Sequence, residues 1–356
     1  MIFVTSQEDI IRKISELEAE NRELKEWQTA VDKLLSQMLD MVTDLCGNSK
    51  EISSIRQELN DLRIYANINR YRINSLPYEL QDPDYRSFYF KPHILSATET
   101  RLLLSQKHMS LARLGDGEFA AIVCQKRWNF QGVSELLSKR LQEVLASDEE
   151  GLLIGLHRTF YSNLFDLPED DADGVRAYMQ PMVRQLHAQL LCRDRQYADA
   201  LFHNIDSDVD IKELKQIWDG RDCVFIEGVH TCMGVGNDLF DNCGSIKRIL
   251  CPAENAIDRY DEILAEAEKQ PKDALMLIAL GPTATVLAYD LYRSGYQAID
   301  IGHIDLIYEK YVRKADGLAN VSIPYKYCTM DERISGRIIP DPEDPIYRSQ
   351  IIAKIL

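Results

Sequence analysis

Residues 274–302 read ALMLIALGPTATVLAYDLYRSGYQAIDIG. Two continuous apolar runs, 274–281 and 297–302, bracket a segment, 284–295, whose apolar residues fall at helical spacing. Such short runs read as strands buried on both faces. A strand, a helix and a second strand form one βαβ unit, and that connection makes the strands parallel. The alternation continues outward. SLARL (110–114), LLIGL (152–156), CVFIEG (223–228) and IKRILCP (246–252) read as further buried strands. SELLSKRLQEVLA (134–146), GVRAYMQPMVRQLHAQLL (174–191) and AIDRYDEILAEAEKQ (256–270) read as helices. The predicted class is α/β, a doubly wound, mainly parallel Rossmann-like sheet over 93–356.

The first 65 residues follow another rule. Ile10, Leu17, Leu24, Val31, Met38, Leu45, Ile52 and Leu59 recur every seventh position, with Ile14, Asn21, Gln28, Leu35 and Val42 four residues behind. Two interleaved rows at a mean spacing of 3.5 predict an α-helical coiled coil over 1–65. Leucine in one row and a single Asn21 in the other favour a parallel homodimer through residues 10–62, with a trimer as the rival. Residues 66–92 lose the heptads and gain prolines and tyrosines, so they are expected to be a linker or strap.

Composition narrows the function classes. The chain has 356 residues and a formal net charge of −16, which argues against a nucleic-acid partner, since that needs a basic stripe. No run of 18 apolar residues predicts a transmembrane segment. The opening MIFVTSQEDIIRK lacks the basic and cleavage regions of a signal peptide. The eight cysteines form no C-x-x-C pair and are expected to be reduced thiols of a cytoplasmic protein, or of one peripheral at a membrane.

In sheets of this class, ligands bind beyond the carboxyl ends of the strands. Four predicted strands end in polar or glycine-rich sequence. After SLARL come Gly115, Asp116, Gly117 and Glu118. Two carboxylates one residue apart repel unless a proton or cation lies between them, and they suit a hard divalent ion, Mn²⁺ or Mg²⁺. The competing reading makes Asp116 a turn residue and Glu118 a charge complementing a helix dipole. After CVFIEG comes GVGNDLF, whose Gly234 and Gly236 allow close backbone approach to a diphosphate, although a third glycine of the dinucleotide fingerprint is lacking. After 274–281, Gly281, Pro282 and Thr283 open a helix, with Thr283 as its expected cap and an anion or an ordinary capped helix as the two readings. After QAIDIG, His303 precedes Asp305 and Glu309, whose spacing of four puts them on one helix face.

Together, SLARLGDGEF, GVGNDLF, IKRILCPAENAIDRYDEIL, LIALGPTATVLAYDLYRSGYQAIDIGHIDLIYE and YRSQIIAKI resemble the bacterial GT-D fold glycosyltransferases, over roughly 93–356. The resemblance implies a metal-dependent transfer of a hexose from a nucleoside-diphosphate sugar, a UDP-sugar foremost, to a hydroxyl of a lipid- or protein-linked surface glycan. It implies that the Asp-x-Glu motif, Asp116 and Glu118, holds Mn²⁺ or Mg²⁺ with the diphosphate, and that His303 and Glu309 belong to the catalytic or nucleotide site. Arg113, Gly115, Gly234, Gly236, Asn237, Asp238, Gly281, Pro282 and Thr283 would line the nucleotide pocket. For an inverting transfer, Asp305 or Glu309 is the expected base. One departure stands out: family members tend to carry a basic residue shortly before the GVGND glycine, where this chain has Thr231-Cys232-Met233. The alternative function is a coiled-coil scaffold with a nucleotide-sugar-binding module. A nicotinamide-dependent enzyme would need a glycine fingerprint after its first strand, which GDGEF does not supply.

Overall fold

A computed structural model describes residues 26, 30–31, 33–34, 37–38, 50–125, 131–318, 321–326 and 340–356. Most of the heptad rows, Asn21 included, lies outside the described residues. The described chain divides into two compact units, 1–87 with 163–181, and 88–162 with 182–356.

The larger unit is built on a nine-stranded sheet in which every pairing is parallel. The strands are β1 (His93–Ile94), β2 (Ser110–Leu114), β3 (Leu152–Leu156), β4 (Gln196–Asp199), β5 (Asp222–Gly228), β6 (Ser245–Cys251), β7 (Leu275–Ala279), β8 (Gln297–Asp300) and β9 (Ile351–Lys354), in the order β1-β4-β3-β2-β8-β7-β5-β6-β9. β3 and β7 are continuous apolar runs because helices cover both faces of such a sheet, and β2 departs from that pattern at Ser110 and Arg113. Leu111 on β2, Phe225 on β5, Leu277 on β7 and Ile299 on β8 share one core with Leu214 and Trp218 of the helix Asp208–Trp218.

The βαβ unit at 274–302 is as expected: β7 and β8 pair in register, Leu275 against Gln297 through Ile278 against Asp300, joined by the helix Pro282–Arg293. Two other expectations need correction. The helix read over 174–191 is two helices, Glu169–Tyr178 and Pro181–Leu190. Pro181 has no N–H and restricts the residue before it, so the first helix stops short and the second starts on the proline.

The stretch read as a linker or strap over 66–92 is largely helical, because the helix Lys50–Gln81 extends into it and a short helix, Pro83–Arg86, follows. The helix therefore continues past Leu59, the last heptad position. Within the smaller unit, ion pairs rather than heptads anchor this helix. Arg72 forks onto Asp173 at 2.7 and 2.5 Å and reaches Glu169 at 2.6 Å, while Arg176 grips Glu79 at 2.8 and 3.1 Å. Bidentate guanidinium–carboxylate pairs of this kind fix geometry as well as charge.

Candidate active site

β2, β8, β7 and β5 are consecutive neighbours in the sheet, so the four strand ends singled out by sequence lie side by side. β2 leads through Gly115 into the helix Asp116–Ile122. Gly115 N donates to Glu118 Oε2 at 2.7 Å and Gly117 N to Asp116 Oδ1 at 2.8 Å. Glu118 therefore closes the first helical turn, as the dipole reading required, and each carboxylate keeps its second oxygen clear of these bonds. Asp116 is exposed and Glu118 half-buried. Burial, reinforced by the negative charges of Asp300 and Asp116, pushes the Glu118 carboxyl up to about 7.

Beneath them lies a buried platform. Arg113, expected on the diphosphate, is turned into the sheet edge instead. Its Nε donates to Asp300 O at 3.0 Å, its Nη1 to Ala200 O at 2.9 Å, and its Nη2 reaches Asp300 Oδ1 at 3.3 Å. Thr285 Oγ1 donates to Arg113 O at 2.7 Å, and its hydroxyl lies 3.3 Å from Asp300 Oδ2. The guanidinium lies under Gly302, where φ is +54° and a Cβ would run into Nη2. His303 follows on the rim, its ring centroid 5.8 Å from that of His203 and nearly perpendicular to it. Desolvation and then the Arg113 charge lower the pKa of both imidazoles, so both are neutral at pH 7.

The glycine loop after β5 is pinned from two sides. Gly234 N donates to Asp305 Oδ1 at 2.9 Å, and Asn237 Nδ2 donates to Asp305 Oδ1 at 2.8 Å and Glu309 Oε1 at 2.7 Å. Lys326 pairs with Asp305 Oδ2, and Arg313 Nε with Glu309 Oε2 at 2.6 Å. Asp305 and Glu309 do share a face of the helix Ile304–Arg313, but both are buried and every carboxylate oxygen already accepts a bond. The structure thus places the two acids expected to supply the base as anchors of the loop. Asp238 turns to Tyr308 and to Lys215, 3.0 Å away. Tyr325 donates to Val235 O at 3.1 Å, and a Cβ on Gly236 would stand 2.5 Å from that hydroxyl.

On the loop's other flank, Glu227 on β5 and Arg248 on β6 clamp the backbone of Met233. Met233 N donates to Glu227 Oε2 at 2.7 Å, and Arg248 Nη2 donates to Met233 O at 2.9 Å. Glu227 and Arg248 pair at 2.5 Å, with 0% and 3% of their side chains exposed, and the guanidinium lies 4.8 and 4.9 Å from the Phe225 and Tyr347 ring centroids. A cation therefore stands beside the loop although Thr231-Cys232-Met233 contains none, but Glu227 neutralises it.

Beyond β7, Gly281, not Thr283, is the residue before the first helical turn, with Pro282 as that turn's first residue. Thr283 is fully buried and its Oγ1 donates to Gln131 Oε1 at 3.3 Å, so it faces the 131–132 segment instead of capping. Among the described residues, no three His, Cys, Asp or Glu side chains converge as a ready metal cage. A divalent ion at Asp116 and Glu118 would have two protein carboxylates, which suits Mg²⁺ or Mn²⁺ sharing its shell with phosphate oxygens and water.

The chain is similar to known proteins. The family profile described as Glycosyltransferase GT-D fold matches residues 111–330. A probable glycosyl transferase Gly of Streptococcus gordonii is 33% identical over 274 residues, covering 74% of this chain and 39% of that protein. Glycosyltransferase GlyD of Streptococcus pneumoniae serotype 4 is 30% identical over 337 residues, covering 91% and 40% respectively. The chain thus spans about 40% of the length of these two relatives. A solved structure described as a new glycosyltransferase from Streptococcus sanguinis superposes with a TM-score of 0.66 at 31% identity, over 74% of this chain and all of that one. The chain belongs to the GT-D fold glycosyltransferase family.

Proposed function

We propose that this chain is a glycosyltransferase that moves a hexose from a UDP-sugar to a hydroxyl of a lipid- or protein-linked glycan, with Mn²⁺ or Mg²⁺ at Asp116 and Glu118. The observation that carries the reading is the adjacency of four strand ends. Family membership sets the reaction class, and the Asp116–Glu118 turn, His303 and the pinned glycine loop all meet at that one edge. The free oxygens of Asp116 and Glu118 would hold the ion, whose charge offsets that of the departing diphosphate. The loop 234–238, fixed by Asp305 and Glu309, would present a rigid surface to the nucleotide. Arg113, Asp300 and Gly302 then act from below by positioning the β2 and β8 ends.

The test is a donor screen across UDP-, GDP- and dTDP-sugars, read by released nucleotide, with Mn²⁺ and with EDTA. The reading expects UDP release that needs the metal and is lost in Asp116→Ala plus Glu118→Ala. Turnover that persists in EDTA overturns the metal, and preference for another nucleotide overturns the donor.

A further inference from the structure

Because all nine strands run the same way, the sheet has a second edge at their amino ends, which the proposed reaction leaves unused. A cavity of about 390 Å³ opens there, beside the starts of β2 and β8. Its walls carry Lys107, His108, Arg221 and Lys272 against a single acid, Asp273. That balance is the reverse of the whole chain, with its net charge of −16.

The cations are held by neutral groups. Half-buried Arg221 donates to Gln297 Oε1 and has His108 Nδ1 3.4 Å from its Nη1. Gln297 is itself fixed, its Nε2 donating to Leu104 O at 2.9 Å and Met109 O at 3.0 Å, so its oxygen is aimed at the guanidinium. Lys272 Nζ donates to Ser294 O at 2.7 Å and lies 3.7 Å from the Tyr296 ring centroid. Among the described residues, none of these three cations pairs with a carboxylate. Burial lowers the Arg221 pKa, and the charge of Asp273 opposes that shift without overcoming it. Desolvating a cation without an anion costs free energy, which a bound anion would recover.

We propose that this amino-edge cavity binds a small phosphorylated ligand, its phosphate seated among Arg221, Lys107 and Lys272. A phosphate carries about −1.5 to −2 charge near neutrality, matching several cations better than one carboxylate does. The planar guanidinium fork suits its oxygens. The remaining volume, walled by Tyr292 and Tyr296, accommodates the organic part of such a molecule.

Inorganic pyrophosphate titrated into the full chain by calorimetry tests this, together with acetylation of lysines followed by mass spectrometry. Lys107 and Lys272 are exposed, so Lys107→Gln plus Lys272→Gln leaves the packing intact. The expected result is pyrophosphate binding that weakens about tenfold or more in that double variant and in Arg221→Gln. The titration is run in EDTA, which leaves the metal-dependent diphosphate site proposed at the opposite edge without its ion, and pyrophosphate shields Lys107 and Lys272 from acetylation. Absence of binding at millimolar pyrophosphate, equal affinity in the double variant, or unprotected lysines would each overturn the site. Should Arg221→Gln fail to fold, the double variant alone decides. None of these outcomes bears on the carboxyl-edge reaction.

Discussion

One amide nitrogen, Asn237 Nδ2, donates to both Asp305 Oδ1 and Glu309 Oε1, at 2.8 and 2.7 Å. The glycine loop is thereby tied to two buried carboxylates on one helix face. A hydrogen bond to a charged group is worth about 1.5–3 kcal/mol. Asn237→Ala is expected to lower unfolding stability by about that amount and to raise KM for the donor sugar more than it lowers kcat. Urea melts and steady-state kinetics on the same variant check both.

The anchoring role of Asp305 makes a prediction that a base would not. Asp305→Ala removes the carboxylate that buried Lys326 pairs with, and breaking a buried pair in this way costs about 3–5 kcal/mol. Asp305→Asn should also destabilise, yet retain measurable turnover per folded molecule. If Asp305→Asn melts like the wild type while turnover vanishes, Asp305 is the base after all.

Gly302 links the platform to the rim. A side chain there is strained at φ +54° and meets Arg113 Nη2. An L residue in the left-handed region costs roughly 1–2 kcal/mol before any collision is counted. Gly302→Ala is therefore expected to lower the melting temperature and, by moving Arg113 away from Asp300, to reduce activity. Thermal denaturation of Gly302→Ala beside Arg113→Lys shows whether the two changes act on one contact: their effects should fall short of additive in the double variant.

Much of this was legible in sequence, and the misses share a cause. β3 begins and ends where its apolar run does, because a strand buried on both faces has no polar residue to blur its limits, and β2 keeps its limits although Ser110 and Arg113 interrupt its run. β1, with two residues, and β9, with alternating exposure, sit at the sheet margins and lack that signal. The platform was harder. Asp300, Glu227 and Arg248 are single charged residues inside strands, and a charge there announces a buried pair without naming its partner. Arg113 and Asp300 lie 187 positions apart, so only the folded topology joins them. His203 follows β4, which carried no strong apolar run, and had no local mark at all.

Two titratable groups give opposite pH signatures. His187 is fully buried, its Nδ1 lies 2.9 Å from the Tyr161 hydroxyl, and burial lowers its pKa from 6.5 to about 3. Between those values the unfolded chain binds more protons, so this contribution to stability is present above pH 6.5 and is lost as pH falls toward 3. Glu118 behaves inversely. With its pKa raised from 4.5 to about 7, it lets stability fall as pH rises through that window. Denaturant unfolding from pH 4 to 7 should show a shallower acid-side loss in His187→Gln. The same series should show a smaller decline toward pH 7 in Glu118→Gln.

The last expectation concerns assembly. The helix Lys50–Gln81 carries Leu62, Tyr65, Leu76 and Leu80 at 56%, 70%, 51% and 64% exposure, and Leu34 and Met38 are exposed at 57% and 43%. Helices owe their stability chiefly to burying an apolar face, and so much exposed leucine on one helix calls for a cover. Of these residues Met38 alone belongs to the seven-residue row from Ile10 to Leu59, which would pair with the same row of a second copy of the chain, in parallel register if Asn21 meets its mate. Light scattering on the full chain should then give twice the mass of one chain. Leu17→Glu plus Leu24→Glu, which puts like charges into the seam, should return the single-chain mass and leave UDP release per chain unchanged. A threefold mass selects the trimer. An assembly that survives both substitutions would place the interface elsewhere than in the heptads.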